Sequence, residues 1–149
     1  MTDVVFDINR NVDLFRVNRA DELAAAPGQT LNARRISGVS KENSPAERLW
    51  FGKVHTGPGE ISQAHHHGEA DTGGYVLKGR GFIRYGEGYG EIVYLNEGDF
   101  VFVPPYMPHI EGNASMTEEL IWMTTRTPDN IVVNLHDQDV VELEIDYIS

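Results

Sequence analysis

Two histidines separated by a single residue, His65 and His67, constrain the fold of this chain more than any other feature. On a β-strand, residues two apart point to the same face of the sheet. Their imidazoles can therefore bind one metal ion together, and His109 is the candidate for a further ligand from another strand. Zinc, iron, manganese, nickel and copper all accept neutral imidazole nitrogen, so this pattern alone does not select the metal.

The composition narrows the class of protein. A chain of 149 residues with 40% hydrophobic and 23% charged residues is expected to form one soluble domain. The chain has no cysteine, so disulfides and thiolate metal sites are excluded, and a metal must be bound by histidine and oxygen ligands. The formal net charge of -11 opposes binding to nucleic acid or to an anionic membrane surface.

The beginning of the chain carries no targeting signal that we recognise. Residues 1–7 have neither a basic stretch nor a long apolar run, which argues against a signal peptide. No segment approaches the roughly 18 apolar residues that a membrane-spanning helix needs. We therefore expect a cytoplasmic protein.

Short segments suited to a pleated sheet alternate with turn signals along most of the chain. The predicted strands are residues 48–54, 63–67, 75–77, 82–85, 91–95, 99–103, 109–113, 120–125, 131–135 and 140–148. Strands of this length and spacing are typical of an all-β sandwich or barrel. A short helix is predicted at residues 20–26. Residues 1–30 are expected to form an N-terminal arm, and residues 31–149 a single β-barrel domain.

Two longer motifs surround the histidines and resemble those of the cupin superfamily, G-x5-H-x-H-x3,4-E-x6-G and G-x5-P-x-G-x2-H-x3-N. The matching positions are Gly59, His65, His67 and Gly79 for the first motif, and Gly98, Pro104, His109 and Asn113 for the second. The resemblance covers roughly residues 48–125. It implies a single-domain, RmlC-like jelly-roll β-barrel that binds one divalent metal ion through His65, His67 and His109, and it also implies a homodimer.

The chain departs from the cupin motifs at two positions. The glutamate of the first motif should stand seven residues before Gly79, where this chain has Thr72. The glycine of the second motif is Tyr106, which could place a phenol at the opening of the pocket. Three neutral imidazoles without the glutamate leave the ion its full +2 charge and some open coordination positions. Such a site favours an anionic ligand, and we expect one that chelates through two oxygens.

A carboxylate elsewhere could still complete the metal site. Glu111 shares the face of His109 if that strand is regular, while Asp71 and Glu69 lie close to the missing glutamate in sequence. The three-histidine site without a carboxylate is the preferred interpretation.

Further residues are candidates for the pocket around the metal. Gln63 shares the predicted inward face of His65 and His67, where it could bind a water or the substrate. Thr72 and Trp122 are predicted pocket residues, and Tyr106 and Glu111 are candidates for proton transfer. The other large apolar side chains are expected to fill the core rather than to bind substrate. They are Trp50, Phe51, Phe82, Tyr85, Phe100, Phe102 and Met123.

Three classes of function fit these features. The first is a dioxygenase in which iron(II) binds both O₂ and a small anionic substrate. The second is a non-redox isomerase, decarboxylase or lyase that uses zinc, manganese or nickel to polarise a carbonyl. The third is a non-catalytic module that binds a small metabolite. The dioxygenase is the preferred prediction, although the fold alone does not decide among the three.

Overall fold

The computed structural model describes residues 15–28, 33–136 and 139–148. Nearly all regular structure in these residues is β. The strands are β1 Ala25–Pro27, β2 Ala33–Val39, β3 Trp50–Thr56, β4 His65–His66, β5 Asp71–Lys78, β6 Gly81–Tyr85, β7 Glu91–Leu95, β8 Phe100–Val103, β9 Ile110–Asn113, β10 Leu120–Thr127 and β11 Val133–Asn134. Two single 3₁₀ turns, Ala20–Glu22 and Glu87–Tyr89, accompany them.

The strands form antiparallel sheets on two sides of one core. The larger sheet has six strands in the order β1-β2-β3-β10-β5-β8. Strands β7, β6 and β9 form a second sheet, and β4 pairs with β11. Isolated bridges from Ile61 to Gly112 and from His65 to His109 attach the β4 segment to β9. The side chain of His65 is thereby fixed beside that of His109, although the two residues are far apart in the sequence.

Alternation along the strands decides which side chains enter the barrel. On β10, Leu120, Trp122, Thr124 and Arg126 are buried while the residues between them are more exposed. The main apolar cluster combines residues of both sheets, which confirms the predicted all-β jelly roll. Its buried members are Val54, Val76, Ile83, Leu95, Leu120 and Trp122.

The motif glycines stand where the backbone must turn with positive φ. Gly59, Gly79 and Gly98 have φ of 69°, 88° and 90°, values that side chains other than glycine rarely adopt. At Gly79 a Cβ atom would also lie 2.8 Å from the carbonyl oxygen of Glu119. These three glycines therefore serve the turns between strands, as expected.

Several predicted elements differ from those observed. The predicted helix at residues 20–26 is one 3₁₀ turn followed by β1, which pairs with β2. The predicted strand at residues 140–148 was wrong, because within the described residues 139–148 only Ile148 makes a β-bridge, to Ser115. The strands expected at residues 63–67 and 131–135 are reduced to two residues each, β4 and β11.

The predicted core contains errors at four aromatic positions. Phe51, Tyr85, Phe100 and Phe102 are exposed, by 80% for Phe100 and 61% for Phe102. Because they lie on strands whose opposite face supplies the core, their hydrophobicity does not place them inside. Trp50, Phe82 and Trp122 are buried as expected, and Met123 is half-buried.

The predicted boundary between an arm and the barrel at residue 30 lies outside the described residues, and so does the first part of the arm, residues 1–14. Within the described parts of the chain, no helix has the length and apolar character that crossing a membrane requires.

Candidate metal centre

His65, His67 and His109 meet inside the barrel. The centroid of the His65 ring lies 4.4 Å from that of His109 and 5.0 Å from that of His67, and the His67 and His109 centroids are 5.1 Å apart. All three residues are at most 2% exposed. Each offers a ring nitrogen within 4.8 Å of those of the other two, so the three side chains could hold one metal ion.

Backbone carbonyls fix the orientation of all three rings. The Nδ1 of His65 is 2.7 Å from the carbonyl oxygen of Gln63, and the Nδ1 of His109 is 2.9 Å from that of Met107. The Nδ1 of His67 is 2.8 Å from the carbonyl oxygen of Ile131. A carbonyl can only accept, so each Nδ1 carries the proton and each Nε2 keeps its lone pair. The chain therefore presents three Nε2 lone pairs of the kind that metal ions bind.

The Nε2 atoms have few partners among the described residues. Those of His65 and His109 are buried and have no hydrogen-bond partner. Buried polar atoms are almost always satisfied in folded proteins, so two such atoms in one cluster require an explanation. A metal ion would satisfy both, and the donor set of three imidazoles suits it.

Burial favours the neutral form of His67 and His109. Burial and the nearby Arg126 guanidinium lower the pKa of His67 to about 3. Burial also lowers the pKa of His109. Neutral imidazole is the form that binds metal ions, so no proton has to leave either ring before a metal binds at neutral pH.

Glu111 is the carboxylate that the structure brings to this cluster. Its Oε1 lies 3.9 Å from the Nε2 of His65. Burial by itself would raise the pKa of Glu111, but the basic side chains around it, of which Arg126 is charged at neutral pH, lower that pKa. The carboxylate is therefore ionised beside the histidines. Asp71 and Glu69, the other candidates, are exposed and lie outside the cluster.

Arg126 is a member of this site that the sequence analysis missed. It is 6% exposed and its Nη2 donates to the Nε2 of His67 over 3.2 Å, while its Nη1 donates to Asn130 Oδ1 over 2.8 Å. Burial lowers the pKa of Arg126 to about 10, so it remains a cation at neutral pH. Its inward face follows from alternation with Trp122 and Thr124, but the predicted strand ended at Thr125.

Two neighbouring cavities, which have four lining residues in common, adjoin the histidines. The inner one, here called the chamber, has a volume of about 20 Å³ and is lined by His67, His109, Thr72, Glu111 and Arg126 together with apolar side chains. The outer one, here called the cleft, has a volume of about 250 Å³. Its lining is almost wholly apolar apart from His109. The chamber and the cleft share His109, Ile83, Val101 and Val103.

The other candidate residues have different positions. Thr72 lines the chamber, is 3% exposed, and its Oγ1 has no hydrogen-bond partner among the described residues. Trp122 also borders the chamber.

Gln63 and Tyr106 differ from expectation. Gln63 is exposed and its Nε2 contacts the Leu135 carbonyl oxygen and the Nδ1 of His136, so its side chain does not share the inward face of His65. The reason is that regular strand begins only at His65, and alternation does not extend back to residue 63. Tyr106 is 63% exposed and its ring lies 5.8 Å from that of His66, and it lines neither the chamber nor the cleft.

Comparison with known proteins agrees with this architecture. The Cupin domain family matches residues 52–125. An RmlC-like cupin from Shewanella frigidimarina is 21% identical, with 76% of this chain and 91% of that chain covered and a TM-score of 0.59. No curated protein matches the chain by sequence.

Two further solved structures have the same fold. The polyketide cyclase RemF from Streptomyces resistomycificus is 16% identical, with 89% of this chain and 90% of that chain covered and a TM-score of 0.65. A predicted oxalate decarboxylase from Thermotoga maritima is 19% identical, with 76% and 99% covered and a TM-score of 0.60. At such identities the likeness shows the fold and not the activity.

Proposed function

The chain belongs to the cupin superfamily, and from this premise we propose that it is a metal-dependent dioxygenase acting on a small anionic substrate that chelates the metal through two oxygens. The observation that carries the proposal is the arrangement of three buried imidazoles whose Nδ1 protons are all held by backbone carbonyls. The Nε2 atoms of His65 and His109 have no hydrogen-bond partner among the described residues, and that of His67 accepts one hydrogen bond, from Arg126. Three protein ligands would leave coordination positions open on a bound ion.

We propose His65, His67 and His109 as the ligands and iron(II) as the metal, with zinc, manganese or nickel as the alternatives. When bound, iron(II) would supply the redox chemistry that joins O₂ to an organic substrate. The described residues supply the rest of the site. Most of the side chains that line the chamber are buried, and the Arg126 guanidinium contributes a positive charge that attracts an anion.

A second candidate function is favoured by Glu111. An ionised carboxylate within 3.9 Å of a metal-binding imidazole can take a proton from a substrate held in the chamber. This would suit a non-redox isomerase, decarboxylase or lyase, and the structural neighbours include a polyketide cyclase and a predicted oxalate decarboxylase. Tyr106, the other candidate for proton transfer, is less well placed because it lines neither cavity.

Elemental analysis combined with oxygen uptake distinguishes these functions. The native protein should contain about one equivalent of iron and consume O₂ when given a diketone, a catechol or a flavonol-like compound. Zinc, manganese or nickel in the native protein, with substrate turnover but no O₂ uptake, would support the second candidate. Tight retention of a metabolite without turnover would support a binding module and contradict both enzymes.

The homodimer and the cytoplasmic location stay predictions. The homodimer is supported by exposed aromatic side chains on β8, which lies at the end of the six-stranded sheet.

A further inference from the structure

We propose that the ligand of this site is an organic anion with an apolar body, whose carboxylate binds Arg126 in the chamber while its body fills the cleft. The inference rests on the proposed function, because it names the ligand class of the same metal centre. Two features carry it: a buried cation without an anionic hydrogen-bond partner, and an apolar cavity beside the chamber.

Arg126 makes no hydrogen bond to a carboxylate among the described residues, although the Glu111 carboxylate acts on it electrostatically and its guanidinium lies 5.7 Å from the centre of the Trp50 ring. Its two hydrogen-bond acceptors, Asn130 Oδ1 and His67 Nε2, are both uncharged. Its Nε is buried and has no acceptor among the described residues. A buried cation is unfavourable unless an anion or strong acceptors compensate it. The side chain is therefore suited to receive an anionic group from a ligand.

A metal ion bound to the histidines would leave Arg126 with fewer hydrogen-bond acceptors. The Nδ1 of His67 is already engaged with the Ile131 carbonyl oxygen, so the ring has one lone pair, at Nε2. That lone pair now accepts the hydrogen bond from Arg126 Nη2, and it cannot serve both a metal ion and this N–H group. If His67 held a metal through Nε2, the Nη2 group of Arg126 would lose this acceptor. A carboxylate, with two oxygens, can accept from the freed group and from Nε.

The sizes of the two cavities decide where the rest of the ligand lies. The chamber, at about 20 Å³, has room for little more than a small polar group. The cleft is more than ten times larger, about 250 Å³, and is lined by side chains such as Ile83, Val93 and Val103. His109 and three apolar residues line both cavities, so the two lie side by side, and the proposal places one ligand across both. A compact dianion would leave the cleft empty.

Calorimetric titration of the metal-loaded protein tests the ligand class. The probes are oxalate, pyruvate, 2-oxobutanoate, 2-oxopentanoate and phenylpyruvate, with the methyl ester of phenylpyruvate as the uncharged control. Affinity should rise about threefold to fourfold for each methylene that enters the cleft, so that phenylpyruvate binds far more tightly than pyruvate or oxalate. The ester should bind at least tenfold more weakly than the acid. Equal affinities along the series, or a preference for oxalate, would overturn the inference.

Substitutions test the role of Arg126 and the role of the apolar cleft separately. Arg126→Met should lower the affinity for phenylpyruvate at least tenfold and leave metal affinity equal or higher, because a cation and a competing hydrogen-bond donor are removed from the ion. Loss of both affinities together would mean that Arg126 only supports the structure. Val93→Asp should lower the affinity for phenylpyruvate but not the affinity for pyruvate, since Val93 lines the cleft and is 41% exposed. Lys78→Met, which removes an exposed cation on β5, is the matched control and should change neither affinity.

Metal content, measured in the same samples, separates the two proposals. A protein that takes up no metal contradicts the proposed function and this inference together. A protein that takes up one equivalent but shows no preference for an apolar body contradicts the inference alone. If the affinity for phenylpyruvate falls as the protein associates, a second copy of the chain covers the cleft. That result would also overturn the inference.

Discussion

In the candidate metal site, one backbone carbonyl orients the ring of each histidine by accepting a hydrogen bond from its Nδ1. For His65 and His109 the acceptor is the carbonyl two residues earlier in the chain, Gln63 and Met107, so each ring is oriented locally. For His67 the acceptor is Ile131, 64 residues away. The first two rings therefore keep their orientation as long as their own loops are intact, whereas His67 depends on the segment that follows β10.

Replacing His67 by alanine should remove most of the bound metal, because two imidazoles hold a divalent ion much more weakly than three. The measurement is metal content after gel filtration, with the melting temperature as a check of folding. His66→Ala is the matched control, since that ring lies against Tyr106 and its Nδ1 accepts from the Gly68 N–H. A full equivalent of metal in the His67 variant would show that His67 is not a ligand.

Thr72→Val should stabilise the metal-free protein while weakening its ligand binding. The Thr72 hydroxyl is buried and has no hydrogen-bond partner among the described residues. Removing an unsatisfied buried group is expected to raise the free energy of unfolding by about 1–2 kcal/mol. If the hydroxyl faces the ligand in the chamber, affinity for phenylpyruvate should fall several-fold.

Denaturant unfolding and calorimetry measure the two effects of Thr72→Val. Thr125→Val, on the more exposed face of β10, should change neither quantity appreciably. A destabilised Thr72 variant would mean that the hydroxyl already has a polar partner in the folded protein.

At the scale of the strands, Asn113 joins three parts of the barrel. It is fully buried at the end of β9, and its Nδ2 donates to the carbonyl oxygens of Thr56, Gly57 and Glu118. Its Oδ1 accepts from the Ser115 N–H. The side chain thus links β9 to the end of β3 and to the turn before β10, which gives a physical reason for an asparagine at this motif position.

Asn113→Ala should lower the free energy of unfolding by about 2–4 kcal/mol, because three carbonyls and one N–H lose a buried partner. For a chain of this size that corresponds to a fall in melting temperature of about 4–16 °C. Thermal unfolding followed by circular dichroism provides the test. Asn96→Ala, in the exposed turn between β7 and β8, should unfold within 1–2 °C of the unchanged protein. Similar melting temperatures for both variants would contradict the linking role of Asn113.

The motifs predicted the barrel because the turns need residues with special backbone or hydrogen-bonding properties, such as Gly79, Gly98 and Asn113. Periodicity was less informative at the ends of strands. The strand predicted to end at Thr125 continues to Thr127. Because of this difference, Arg126 was not predicted as a residue of the site. Hydrophobicity misplaced Phe100 and Phe102, since a strand at the end of a sheet can turn aromatic side chains outward. The acceptor for His67 could not be predicted, because any residue has a carbonyl.

At the scale of the whole molecule, the exposed aromatic surface favours association of two copies of the chain, whereas the net charge opposes it. Among the described residues, β8 pairs with β5 on one side only, and its Phe100 side chain, which lines neither cavity, is 80% exposed. An unpaired strand edge with exposed apolar side chains favours association. The formal net charge of -11 makes two copies of the chain repel one another. We therefore expect a homodimer whose affinity increases when salt screens this repulsion.

Phe100→Glu should convert this dimer to a monomer, because it replaces apolar contact area with a charge that adds to the repulsion. Sedimentation velocity at low and at high salt measures the change. Phe100 lines neither the chamber nor the cleft, so metal content should stay at one equivalent. Met116→Glu, an exposed position between β9 and β10, should leave the dimer intact. If the Phe100 variant sediments as the unchanged protein does, β8 is not the interface, and the exposed aromatic side chains require another explanation.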